Sequence, residues 1–206
     1  MQELFWHFFI GFTVSFVGSL PVGTVNLAVI QTTVNSNFRA GFYFSLGATI
    51  VELIYSAIAI KFIAYLLDNR SVEIFIQIVS IPVFIVLAIL YLRKEESAVS
   101  TEIKGRKSFY NGLFIGLLNP LQIPFWIAYG SYLLSNNWIK NDVYLINIFI
   151  AGISLGTLLV LTLIAFLSKR LVSSMELKTK LVNRIIGWVL IALAVYQLIK
   201  VLFHFS

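Results

Sequence analysis

Six apolar runs of roughly 20 residues or more, separated by short segments that hold nearly all of the charge, leave this chain few folds to choose from. Their approximate limits are 4–30, 41–67, 72–92, 109–135, 142–168 and 184–204. At about 1.5 Å per helical residue each run can cross a ~30 Å hydrocarbon core. A bilayer interior offers no water to backbone N–H and C=O groups, so single apolar segments cross it as helices. Only 12% of the 206 residues are charged, against about 25% in a soluble domain, too few to cover a surface facing water. The expected fold is therefore all-α and polytopic, with six transmembrane helices. The first run follows Met-Gln-Glu with no basic segment before it and no small-residue cleavage site after a short apolar core, so it is expected to be retained as a helix.

The net charge of +6 has a plain origin in where the basic residues fall. On one side of the runs lie Arg39, Arg93, Lys94, Lys104, Arg106, Lys107, Lys169, Arg170, Lys178, Lys180 and Arg184; on the other lie Lys61, Arg70, Lys140 and Lys200. This asymmetry places the loops after runs one, three and five in the cytoplasm and both termini outside. Basic loops over anionic membrane lipid account for the charge without nucleic acid, since no basic stripe with interleaved aromatics occurs elsewhere. The chain has no cysteine, which excludes disulfides, thiolate metal sites and cysteine nucleophiles.

The polar segments 93–108 and 168–183 are too short to bury cores of their own, so residues 1–206 form a single transmembrane domain. The cytoplasmic loop at about 93–108 divides it into a first repeat at about 4–92 and a second at about 109–204. Three spans per half is an odd number, so two similar halves would cross the membrane in opposite senses, as inverted repeats. Both leading runs are interrupted near the midplane: "VGSLPVGTVN" (17–26) carries Pro21 and Gly23, and "GLLNPLQIPFW" (116–126) carries Pro120 and Pro124. Proline removes a backbone donor and glycine lets the chain turn, so helices 1 and 4 are expected to break there.

Freed backbone groups survive at that depth only where protein or a watery cavity satisfies them. Half-helix N-termini at such a break suit a carboxylate, and exposed carbonyls suit a cation or an ammonium. Asn26, Asn119 and Gln122 would be poorly satisfied facing lipid, which favours a cavity. The alternative is a kinked helix in which Ser19, Thr24 and Asn26 repair the lost hydrogen bonds.

Of nine acidic residues, Glu52 stands well inside a run. A charge at the bilayer centre costs at least roughly 2.5–3.5 kcal/mol on insertion scales and nearly always faces a bundle interior or water. Helical spacing gives it an inward face: Ser45, Ala48, Thr49, Glu52, Ser56 and Ala59 form one small or polar stripe, with Ile50, Leu53, Ile54 and Ile58 elsewhere on the helix. Thr49 and Ser56 are expected to donate hydrogen bonds to the carboxyl group, which is a candidate to take up and release protons. The alternative is a carboxyl that stays protonated and only bonds a neighbouring helix. Lys61, nine positions on, is expected to reach the interface rather than pair with Glu52.

Other signals take structural readings. "GISLG" (152–156) matches a nucleophile motif but lacks its strand-turn-helix context and a histidine within reach, His7 and His204 lying at the chain ends, and its glycines fit close helix packing instead. Tyr55, Tyr65, Tyr91, Trp126, Trp138 and Trp188 read as interfacial or packing aromatics. Asn69-Arg70-Ser71 fits a glycosylation triplet by chance. No metal-hydrolase or phosphate-loop motif occurs.

These segments resemble the lysine exporter superfamily, the LysE/RhtB-type amino-acid exporters. "LPVGTVN" is similar to that family's first-helix Pro-x-Gly-Pro-x-Asn motif at Pro21, Gly23 and Asn26, with Thr24 where a second proline is usual. "SLGATIVE" resembles its second-helix glycine and acid at Gly47 and Glu52, and "GLLNPLQIPFW" its fourth-helix break at Asn119 and Pro120, without the lysine often found after that proline. "NRIIGWVLIALAVY" resembles its last helix at Gly187. The resemblance implies a six-helix exporter of amino acids or related small solutes in a bacterial inner membrane, driven by the proton gradient.

The expected mechanism has Glu52 coupling proton entry to solute exit, with substrate ammonium and proton competing for its carboxylate. Break-region N–H groups with Thr24, Asn26, Asn119 and Gln122 would hold the carboxylate and polar parts of the solute. No cofactor and no metal are expected: one acid without an inward histidine or cysteine makes a poor transition-metal site, which weighs against the alternative of a cation or metal exporter. A non-transporting membrane scaffold is the other alternative, and an enzyme lacks paired catalytic groups. Six short helices leave little room for both a shielded site and a rigid frame, which favours a homodimer.

Overall fold

A computed structural model of the protein describes residues 1–20, 23–66, 70–93, 107–119, 122–172 and 175–204, and the regular structure among them is helical. Eight helices follow in order: α1 (Gln2–Gly18), α2 (Thr24–Asn35), α3 (Phe38–Leu66), α4 (Arg70–Arg93), α5 (Ser108–Leu117), α6 (Gln122–Ser135), α7 (Val143–Val172) and α8 (Met175–His204). The first apolar run thus holds α1 and α2, and the fourth holds α5 and α6. The largest departure from the expected limits is α8, which begins about nine residues before the apolar run. "MELKTKL" contains no glycine or proline and is rich in good helix formers, so the helix does not stop where the hydrophobic stretch does.

Among the described residues, α3 and the Val143–Ser168 part of α7 are each long and apolar enough to cross a membrane, with mean hydropathies of 1.8 and 2.5. The pair α5 and α6 passes the same test as one span bent by 65° at its break. Helix α4 carries Pro82 in its interior without ending there.

Backbone contact through glycine joins these helices in two places. A Cβ on Gly152 of α7 would strike the carbonyl of Phe8, and one on Gly156 the carbonyl of Phe12; Gly11 of α1 faces the carbonyl of Phe149 in the same way. Residue numbers rise together along the seam, so α1 and α7 run in the same direction. The small-residue reading of "GISLG" is the one the packing adopts. The second seam joins α3 and α5: Gly47 lies against the backbone of Phe109 and Leu113, Gly112 against that of Phe44 and Ala48, and Gly116 against Val51. Here too the numbers rise together. Association in lipid rests on such close approach, because apolar side chains gain nothing by leaving lipid for one another.

Helix α3 lies at the centre, packed on α2, α5, α6 and α7. One apolar cluster joins it to α6 and α7 around Ile60, Trp126, Phe149 and Ile153; a second joins it to α2 and α7 around Val29, Phe44 and Leu161. A third, around Phe84, Ala128 and Leu190, sets α4 and α8 against the other side of α6.

The segment after α6 ties three helices together. Asn137 takes φ 56°, Asn137 N–H donates to Leu134 O at 3.0 Å and Trp138 N–H to Leu133 O at 2.9 Å, a left-handed stop for the helix. Trp138 O then accepts from Trp6 Nε1 at 3.0 Å, Asn141 Nδ2 donates to Ala64 O at 2.9 Å, and the Asp142 side chain caps α7 through Leu145 N–H at 2.9 Å. His7 is buried within this joint. Its Nε2 accepts from Lys140 N–H at 2.8 Å, so in the neutral ring Nδ1 carries the proton donated to Glu3 O at 2.7 Å. Lys140 Nζ also pairs with the Glu3 carboxylate.

Candidate functional site

The stripe on α3 is buried as its spacing requires. Ser45, Ala48, Thr49, Glu52, Ser56 and Ala59 are all buried, whereas Ile50, Leu53, Ile54 and Ile58 are exposed. Glu52 retains 7% of its surface. Lys61 is exposed, and among the described residues the one salt bridge is Lys140 with Glu3.

Two donors from α6 hold the Glu52 carboxylate: Gln122 Nε2 bonds Oε2 and Trp126 Nε1 bonds Oε1. Gln122 opens α6 and Trp126 lies four residues on, so both leave the same face of the helix. Trp126 is fully buried, edge-on to Phe149 of α7 at 6.4 Å between ring centroids. The expected donors act otherwise. Ser56 Oγ donates to Leu53 O at 3.2 Å, a bond within its own helix, and Thr49 Oγ1 is buried with no partner among the described residues. Gln122 Oε1 is likewise buried and without a partner among them. Reading Trp126 as an ordinary packing aromatic missed its indole N–H; the available signal was its four-residue spacing from Gln122.

The two breaks are closed by different means. Pro21 and Pro120 lie outside the described residues. In the first break α2 starts from an extended Gly23 (φ −105°, ψ −177°), and Asn26, one turn into α2, donates its Nδ2 to Ser19 O at 2.8 Å. Asn26 is buried, Gly23 half-buried and Thr24 exposed. The Asn26 amide therefore makes the repair bond that the kinked-helix reading foresaw. In the second break Asn119 is half-buried, its N–H donates to Gly116 O at 3.0 Å, and Tyr55 Oη of α3 donates to Leu117 O at 3.1 Å. Tyr55, read as a packing aromatic, ties the end of α5 to α3. This break is shorter than the sequence suggested, because Pro124 is the third residue of α6. In a first turn the N–H that proline lacks would have had no intrahelical partner, so the ring is accommodated there.

Of the residues expected at the site, Gln122 reaches Glu52; the Asn26 side chain bonds Ser19 O across the first break, Asn119 is half-buried at the end of α5, and Thr24 is exposed. Replacing Asn26 with alanine removes this bond to Ser19 O and is expected to destabilise the protein by about 1–3 kcal/mol. Thermal unfolding in detergent measures the loss; an unchanged midpoint would show that the bond contributes nothing.

Comparison with known proteins adds a family to this geometry. The model of the family described as "LysE type translocator" matches residues 16–201. The chain is 29% identical over 147 residues to "Putative amino acid efflux protein YcgF" of Bacillus subtilis (strain 168), covering 68% of this chain and 70% of that protein. No solved structure matches the chain. With a match that begins inside α1 and ends inside α8, over apolar helices of membrane-spanning length, the chain belongs to the LysE type translocator family and is a multi-pass membrane transporter, not an enzyme.

Proposed function

We propose that the protein exports amino acids or related small solutes across a bacterial inner membrane in exchange for protons, with Glu52 as the coupling group. The observation that carries this reading is the clasp itself: a buried carboxyl on α3 held by Gln122 and Trp126 of α6, a helix from the other half of the chain. An ionised carboxylate accepts from both donors at once, whereas a protonated one must turn one oxygen into a donor. Protonation therefore requires Gln122 to turn its Oε1 toward the new O–H and replaces two charge-assisted bonds with neutral ones of roughly half the strength, which loosens α6 from α3. A solute that replaces the proton restores the closed arrangement, and alternating the two ties solute exit to proton entry. The efflux named in the relative's description supports the outward direction.

The same reading makes residues 1–206 one domain of six spans, two inverted three-helix repeats with both termini outside. Its support is an exchange of partners. The first half-helix of each half packs through glycine along the second span of the other half, α1 on α7 and α5 on α3, in both cases running parallel. Related halves of opposite orientation produce such a swap.

Purified protein in vesicles loaded with a labelled amino-acid panel tests the function. At least one solute is expected to leave faster when a proton gradient points into the vesicle than without one. If no solute in the panel leaves faster than from protein-free vesicles in either condition, the exporter reading fails.

A further inference from the structure

Among the described residues, Gln122 Oε1 and Thr49 Oγ1 have no hydrogen-bond partner. Gln122 Oε1 belongs to the same amide whose Nε2 donates to Glu52, and Thr49 Oγ1 stands one turn before Glu52 on the same buried face of α3. Both residues are more than nine-tenths buried. A buried polar atom without a partner carries a desolvation penalty of about 1–3 kcal/mol; Gln122 Oε1 can only accept and the Thr49 hydroxyl can accept as well as donate, so a ligand that donates N–H groups satisfies both. The indole of Trp126 cannot supply one, since its single N–H is committed to Glu52.

We propose that the Glu52 carboxylate, Gln122 Oε1 and Thr49 Oγ1 form a subsite for a primary ammonium group. Such a group carries three N–H donors and no acceptor, which matches one charged and two neutral acceptors in number and kind. This assignment rests on the exporter reading and deepens it: the amine end of the solute lies between α3 and α6, and Gln122 serves that end instead of the carboxylate end expected from the sequence. It also states a selectivity. A quaternary ammonium has the same charge and no N–H, so it satisfies neither free oxygen.

Trp126 reports on the subsite. It is fully buried, while Trp6, Trp138 and Trp188 are about half exposed or more, and its N–H lies on the ligating carboxylate. Methylammonium chloride titrated into the purified protein is expected to change tryptophan emission saturably, and the change is expected to vanish in Trp126→Phe. Tetramethylammonium chloride at equal ionic strength is expected to leave emission unchanged. Thr49→Val removes one acceptor at nearly constant volume and should weaken the methylammonium response about tenfold, the lower end for a hydrogen bond to a charged group. Thr49→Ser keeps the oxygen and retains the response, which separates a lost acceptor from a misfolded variant.

An equal response to the two cations, or a Thr49→Val titration that overlays the wild type, overturns the subsite and leaves those oxygens to water. The vesicle assay separates the two readings. Gradient-driven export without methylammonium binding sinks the subsite alone; methylammonium binding with no coupled export of any solute sinks the exporter reading alone.

Discussion

A Glu52→Gln protein is expected to insert and fold like the wild type while export driven by a proton gradient falls to the level of protein-free vesicles. The wild-type carboxylate accepts from Gln122 and Trp126. A glutamine in its place offers one acceptor and one donor group. An indole can only donate, so the new amide oxygen stays with Trp126. The new NH2 group then faces Gln122, whose amide turns over to present Oε1. Both contacts survive in neutral form, at roughly half the strength of charge-assisted bonds, a loss of about 1–2 kcal/mol at most. The proton-accepting group is gone, and Gln122 Oε1 is consumed by the new bond. Gradient-driven export above about a tenth of the wild-type rate, a barrier change of only about 1.4 kcal/mol, would remove Glu52 from the coupling.

That outcome concerns a residue whose setting was plain in the sequence. Ser45, Thr49, Glu52 and Ser56 recur at helical spacing among bulky aliphatics, and a helix of 29 residues without proline keeps its register from end to end, so the polar face and the buried face coincide. The glycine pair at 152 and 156 was legible for the same reason, both residues lying one turn apart on an unbroken helix.

What the sequence concealed depends on the breaks. The face on which Trp126 falls is fixed by where α6 starts and by the 65° between α5 and α6, and neither follows from spacing across an interruption. Without that register Trp126 is one more aromatic in an apolar run, and Pro124 is one more proline in a break. Composition correctly marked Asn26 as a residue that lipid would not satisfy. The bond from Asn26 to Ser19 O was hidden until the backbone of the break was known. Thr49 and Ser56 share the Glu52 face, but Ser56 Oγ bonds Leu53 O of its own helix and the donors on the carboxylate come from α6, which no spacing along α3 reveals.

Gly112→Ala and Gly152→Ala are expected to have the second-largest effects, each destabilising the protein by about 1–3 kcal/mol. At both sites the added methyl meets main chain: the carbonyl of Phe44 and the N–H of Ala48 for Gly112, and the carbonyl of Phe8 and the N–H of Phe12 for Gly152. Backbone in a packed helix cannot rotate away as a side chain can, so the helices must separate along the whole seam. The two seams share no residue, and the losses in the double variant are expected to add to about 2–6 kcal/mol. At roughly 2–4 °C per kcal/mol for a chain of this size, the double variant would unfold well below the wild type in detergent. Gly130 supplies the contrast. A methyl there meets the side-chain ends of Ile60 and Ile63, which can shift, so Gly130→Ala is expected to stay within about 1 kcal/mol of the wild type. If all three single variants unfold at the same temperature, contact between backbones is not what holds α1 to α7 and α5 to α3. In that case the swapped seams lose their value as support for inverted repeats.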